Sequence, residues 1–236
     1  MSKSKKGICA ICGVEGMVTD DHVPPRNIFP KPRPNNVNLI TVPTCSKCNG
    51  GSSRDDEEFK LYISLKSGME APHCRKLHES TRRTIQHNSS LKKRLINGST
   101  KFFLPNPKTG EHEPVVLQKF DPKPILRVSE KIIRGLYFKH FDRPLLENAK
   151  CNIWLSDMLN DESRKVVLGL IEDMKISGKI VSIGTNKEFA YLYSGTECEY
   201  STAWLLMFNE QTYIFGLTVK FFNNRIHSIA DSARSE

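Results

Sequence analysis

Cys9-Ala-Ile-Cys12 and Cys45-Ser-Lys-Cys48-Asn49 frame the stretch on which the rest of the chain is read. Between them lies Asp20-Asp21-His22-Val23-Pro24-Pro25-Arg26, and Asn38-Leu39-Ile40 leads back to the second cysteine pair. A CxxC turn supplies two thiolates from one tight bend. Two such turns joined by a loop therefore make the donor set of a tetrahedral zinc site, with Zn–S bonds of roughly 2.3 Å. Four cysteines leave no open coordination position, so Zn²⁺ on Cys9, Cys12, Cys45 and Cys48 is expected to hold the fold. The polar residues between the pairs are left for other work.

Outward from this stretch, local signals set the elements. Residues 1–7 read as a basic tail. Gly13 and Gly16 suit tight backbone beside a metal. Val18-Thr19 reads as a short strand ending in Asp21 and His22, and Pro24-Pro25 forbid a helix directly after it. Leu39 to Val42 has the composition of a return strand, and the second CxxC opens a helix interrupted near Gly50-Gly51. Phe59, Tyr62 and Ile63 recur at helical spacing, so 54–67 is expected to be a helix, with Glu57 and Glu58 capping its first turn.

An Asp-His pair between two CxxC pairs, followed by Asn-Leu and then Cys-x-x-Cys-Asn, resembles the HNH nuclease family in its cysteine-bearing form. The resemblance covers about fifty residues. It implies a ββα-metal unit, two strands and then a helix around one catalytic divalent metal. Asp21 would be a carboxylate ligand of that metal and His22 the general base that activates water. Asn38 would pin the loop that orients the imidazole, and Asn49 would be the second metal ligand on the helix. Asn in the last position leaves oxygen ligands, which favour Mg²⁺ or Mn²⁺. Arg26 is a candidate phosphate contact.

Composition agrees with a nucleic-acid partner. The net charge is +9, and the excess is unevenly placed. Residues 1–54 hold eight Lys/Arg against three Asp/Glu, residues 55–100 nine against six, and residues 101–236 eighteen against seventeen. A basic face attracts phosphate backbone without reading sequence. Residues 70–97 read as basic helix, with Arg75-Lys76, Arg82-Arg83 and Lys92-Lys93-Arg94. His73, Cys74 and His78 lie close together there, but a second metal site would need a fourth ligand. No apolar run is long enough for a membrane span and no signal-peptide core follows the basic N-terminus, so a cytoplasmic protein is expected. Cys74, Cys151 and Cys198 are solitary, as buried thiols of a reducing compartment are.

After Asn97-Gly98-Ser99 the pattern changes. Strand-like runs at 100–104 and 114–119 flank a turn-rich loop. Helical spacing follows at 125–141 and 160–174, with a short strand at 153–155 between them. Strands are expected at 179–184, 188–193, 202–208 and 212–222, with Trp154 and Trp204 in the core. The chain thus reads as α+β. A zinc-stabilised unit spans 1–67, a basic helical connector 68–100, and an α+β domain on a mostly antiparallel sheet 101–236. The last has no Gly-rich phosphate loop or nucleophile motif. It could pair with a second copy or a protein partner.

The function expected is hydrolysis of phosphodiester bonds in nucleic acid, DNA before RNA. The rival from another class is a zinc-stabilised nucleic-acid-binding module without catalysis. A third reading makes the chain an interaction protein.

Overall fold

The computed structural model describes residues 4–31, 33, 39–51, 53–146, 148–177, 179–183, 188–195 and 200–219. Asn38 and Cys198 lie outside the described residues, as do the first three residues of the expected tail. The fold is mixed α/β with antiparallel sheets.

The chain opens with β1 (Lys5–Ile8) and β2 (Glu15–His22), which join β3 (Thr41–Cys45) in a three-stranded sheet of order β1-β2-β3. The expected tail is therefore strand from Lys5 onward, its register running Lys5↔Val18 to Ile8↔Glu15. Four residues rich in lysine carry no strand signal of their own. The pairing comes from β2, which offers them an open edge.

Between β1 and β2 the Cys9 turn closes on itself: Gly13 N–H donates to the Cys9 carbonyl and Cys9 N–H to Val14. Gly13 sits at φ +74°, a conformation that suits glycine, so this turn is the one the first CxxC needs. Helix α1 (Ser46–Gly50) starts immediately after β3, with Cys45 as its first flanking residue.

Helices α2 (Ser53–Lys66), α3 (Pro72–His87) and α4 (Ser89–Gly98) follow. The expected basic helical stretch over 70–97 is divided at Asn88, which caps α4 by accepting a hydrogen bond from Leu91 N–H. Glu57 and Glu58 do not cap α2. Asp55 and Asp56 occupy its first turn, while Glu57 accepts from Asn88 and Glu58 pairs with Arg94, holding α2 to α4. Arg82, Arg83, Lys92 and Lys93 stay exposed.

A two-stranded ribbon, β4 (Ser99–Pro105) and β5 (His112–Gln118), leads to α5 (Pro122–Phe141). Then come β6 (Lys150–Leu155), α6 (Asp161–Ser177), β7 (Lys179–Ile183), β8 (Phe189–Gly195), β9 (Thr202–Phe208) and β10 (Thr212–Val219). The five strands form one antiparallel sheet of order β6-β10-β9-β8-β7. Its strands alternate as a sheet covered on both faces must. Phe189, Tyr191, Trp204, Leu206, Phe208 and Ile214 face α5 and α2, whereas Leu192, Leu205 and Phe215 pack with Val167 and Met174 of α6. Trp204 is fully buried; Trp154 is only half-buried, on the α6 side.

The larger buried cluster takes residues from all three stretches of the chain, Val23 and Phe59, Leu77, and Ile132 to Ile214. Helix α5 is its spine. It is entered by Pro122 behind the Asp121 cap and left through Asp142 in the left-handed conformation. Two glycines set how closely it packs. A Cβ on Gly135 would meet Val23 Cγ2 at 2.7 Å, and one on Gly216 of β10 would meet Ile133 Cδ1 at 2.3 Å. On one side α5 thus touches the loop after β2, and on the other it touches the large sheet.

A contrast between two helical glycines tests this packing. Gly135→Ala should lose up to about 2 kcal/mol of stability, the balance of an overpacking cost of about 1–3 kcal/mol against the roughly 1 kcal/mol gained in helix propensity. Gly169 of α6 has open space where its Cβ would go, so Gly169→Ala should gain about 0.5–1 kcal/mol. Thermal melts that rank the two variants the other way would contradict the close contact.

Candidate functional site

The four cysteines at the start of the chain converge. The Sγ atoms of Cys9, Cys12, Cys45 and Cys48 all lie within 4.8 Å of one another, and Cys12 Sγ stands 3.9 Å from Cys45 Sγ. A tetrahedron with Zn–S bonds of roughly 2.3 Å has edges of roughly 3.8 Å. Four soft sulfur donors at that spacing can hold a metal ion such as zinc, and among the described residues they are the one group of this kind. The thiols are not equivalent. The backbone N–H of Cys48 and its sulfur neighbours draw Cys45 down to about 7, whereas burial pushes Cys12 and Cys48 up. Without a cation the cluster can shed its protons only in part, so metal binding must displace them.

The residues between the pairs lie on β2, β3 and α1. Asp21 and His22 close β2, paired with Val42 and Thr41. Thr19 and Asp21 share one face of the strand, since side chains alternate. Asn49 of α1 reaches that same face, its Nδ2 donating to Thr19 Oγ1 at 3.1 Å. Asp21 and Asn49 are therefore brought to one side of the β2–β3 hairpin, one strand repeat apart.

Asp21 is held from two directions. Its Oδ1 accepts from the backbone N–H of His22 at 2.8 Å. Its Oδ2 is buried and accepts no well-directed hydrogen bond, although Lys131 Nζ of α5 stands 2.8 Å away in an ion pair. The side chains are 16% and 10% exposed, so both charges are largely removed from water. Breaking such a pair by removing one partner costs about 3–5 kcal/mol, because the other charge is left buried alone.

His22 is half-buried at the strand end, and among the described residues its ring makes no hydrogen bond. Burial lowers its pKa below the ordinary 6.5, and the nearby charges of Arg26 and Arg33 act in the same direction against the pull of Asp21. The imidazole is accordingly neutral at neutral pH. Arg26 is exposed on the short 3₁₀ turn Arg26–Ile28, and Arg33 ties the loop by donating to the carbonyls of Phe29 and Arg26.

The donors suit an oxygen-seeking divalent cation in kind. They are one carboxylate, whose buried Oδ2 faces the Lys131 ammonium at 2.8 Å, and one amide on the same face. Lys131 is the exception, a cation already on that carboxylate. Sequence reasoning did not find it, because a lysine inside an amphipathic helix reads as polar face. The available signal was Gly135, one turn on along the same helix face, since a small residue there marks close packing.

Other candidates have structural uses. His78 lies 2.8 Å through Nε2 from the Ser67 carbonyl, and Cys74 is buried against the core. No helix among the described residues is long and apolar enough to cross a membrane. Comparison with known protein families finds no matching model, and no curated protein or solved structure matches the chain.

One tightly held metal ion per chain is expected, zinc by the softness of the donors. Cys45→Ser should lose it and unfold the N-terminal sheet, since binding energy at such sites is folding energy. Acidification should release the ion as the thiolates regain protons. Elemental analysis that finds a metal-free yet fully folded wild-type protein would decide against this.

Proposed function

We propose that this chain is a metal-dependent endonuclease of the HNH type that hydrolyses phosphodiester bonds in nucleic acid, DNA before RNA. Zinc on Cys9, Cys12, Cys45 and Cys48 would serve structure. The observation that carries the reading is a carboxylate and an amide on one face of β2, with the imidazole next along the strand and, by the same alternation, on the other face. Asp21 and Asn49 lie on one face of a hairpin that runs into a short helix, and a neutral His22 sits beside Arg26 and Arg33.

Each residue has a part in the reaction. The His22 imidazole takes a proton from water, whose oxygen attacks phosphorus as the bond to the 3′ oxygen breaks; the departing oxygen then takes a proton from solvent. Arg26, exposed beside the strand end, would hold a phosphate of the bound strand, and Arg33 braces the loop that carries it. The exposed Arg82, Arg83, Lys92 and Lys93 add a sequence-independent attraction. A Mg²⁺ or Mn²⁺ ion on Asp21 and Asn49 would supply charge stabilisation at the phosphate oxygens.

A second reading, a zinc-stabilised binding module without catalysis, is favoured by one observation: the ion pair with Lys131 already gives Asp21 a structural purpose. Plasmid nicking with Mg²⁺ or Mn²⁺ separates the two. His22→Ala should cut about 10²–10⁴-fold more slowly while its metal content and DNA affinity stay near wild type. Cleavage by that variant at the wild-type rate would remove the base from His22, and no cleavage by wild type would leave the binding module.

The pH profile gives an independent check. The base works unprotonated and its pKa is lowered, so the rate should be lost on acidification only below 6.5. A rate that still climbs steeply above pH 7 would speak against this imidazole.

A further inference from the structure

The ion pair between Asp21 and Lys131 joins the proposed metal site to a helix more than a hundred residues away, and the family resemblance assigns it no role. Helix α5 turns one face toward the N-terminal unit at intervals of four residues. Arg127 pairs with Asp55, Lys131 with Asp21, and Gly135 packs on Val23. The close contacts at Gly135 and Gly216 fix the helix, so the ammonium is delivered to Asp21 by packing as well as by attraction. Beside it lies a recess of about 290 Å³ lined by Ile11, Cys12, Arg127, Glu130, Lys131 and Arg134.

A divalent cation on Asp21 would sit roughly 2.1 Å from a carboxylate oxygen. Lys131 Nζ is 2.8 Å from Oδ2, in surroundings that screen charge poorly. A divalent cation on this carboxylate and the Lys131 ammonium would repel each other across it, so each weakens the hold of the other. Lysine suits an exchange, being a point charge on a flexible stem with three donors and no fixed fork.

We propose that Lys131 is the exchangeable counter-ion of Asp21. It neutralises the carboxylate while no divalent cation is bound, gives way when one binds, and is then taken up by a nucleic-acid phosphate entering the neighbouring recess. The inference rests on the nuclease reading of Asp21. It makes cation and nucleic acid bind cooperatively, since each removes part of the cost of admitting the other, and the coupling is reciprocal.

The test uses the full zinc-loaded chain carrying His22→Ala, so that nothing is cut, and measures Mn²⁺ binding by electron paramagnetic resonance with and without a short DNA duplex. The parent should bind Mn²⁺ about tenfold more tightly with the duplex present. Lys131→Gln, which keeps a donor but no charge, should bind Mn²⁺ about tenfold more tightly than the parent without DNA and gain little from adding it. Should that variant not fold, Lys131→Arg carries the test in the opposite direction. Its two-pronged grip on the carboxylate should weaken Mn²⁺ binding, and equal or tighter binding overturns the exchange.

Asp21→Asn separates the two levels of the argument. Mn²⁺ binding that needs Asp21 but ignores Lys131→Gln leaves the nuclease reading standing and overturns the exchange. Binding that needs neither residue, or no binding by any variant, overturns both.

Discussion

Where α5 meets the loop that follows β2, the helix has no room for a side chain at position 135. The gap is closed by Val23 against the bare backbone of Gly135, and on the far side Ile133 fills the space above Gly216. This double contact decides where the helix runs, and therefore where Lys131 meets Asp21 and Arg127 meets Asp55. The cysteine cluster fixes the N-terminal sheet from within. The helix fixes it against the rest of the molecule.

The site gathers charge of both signs at close range. Four thiolates on a divalent ion would carry a net negative charge, and Cys12 also lines the recess beside Lys131. Arg26 and Arg33 lie near His22, at the end of β2 that also carries Asp21. A base next to two guanidinium groups resists protonation, which serves a group that has to accept a proton. The same groups attract phosphate, so the features that keep the imidazole neutral also favour the ligand it would act upon.

Much of this was legible in the sequence because it rests on local rules. The CxxC spacing announced the sulfur cluster, and Leu39 to Val42 announced the return strand before α1. Helical spacing in α5 and the near-continuous apolar runs of β8 and β9 follow from burial on one face and on two faces respectively. The misses are tertiary. β1 is a strand only because β2 offers an edge. Glu57 and Glu58 turn from capping to bridging because α4 folds back beside α2. Lys131 carries no local mark, since its partner is set by how helices pack and not by anything in its own neighbourhood. Asn38, named from the sequence, lies outside the described residues.

The separation between Asp21 and Lys131 also has a consequence in time. A ribosome adds roughly 5–20 residues each second, so about 110 intervening residues take roughly 5–20 s to appear. Once Cys48 has followed, both cysteine turns are present for the rest of that interval, yet Asp21 has no ammonium opposite it and Val23 has no helix to lean on. The nascent N-terminal sheet must wait, held by its strand pairing and its sulfur cluster, until a later part of the same chain arrives to finish it.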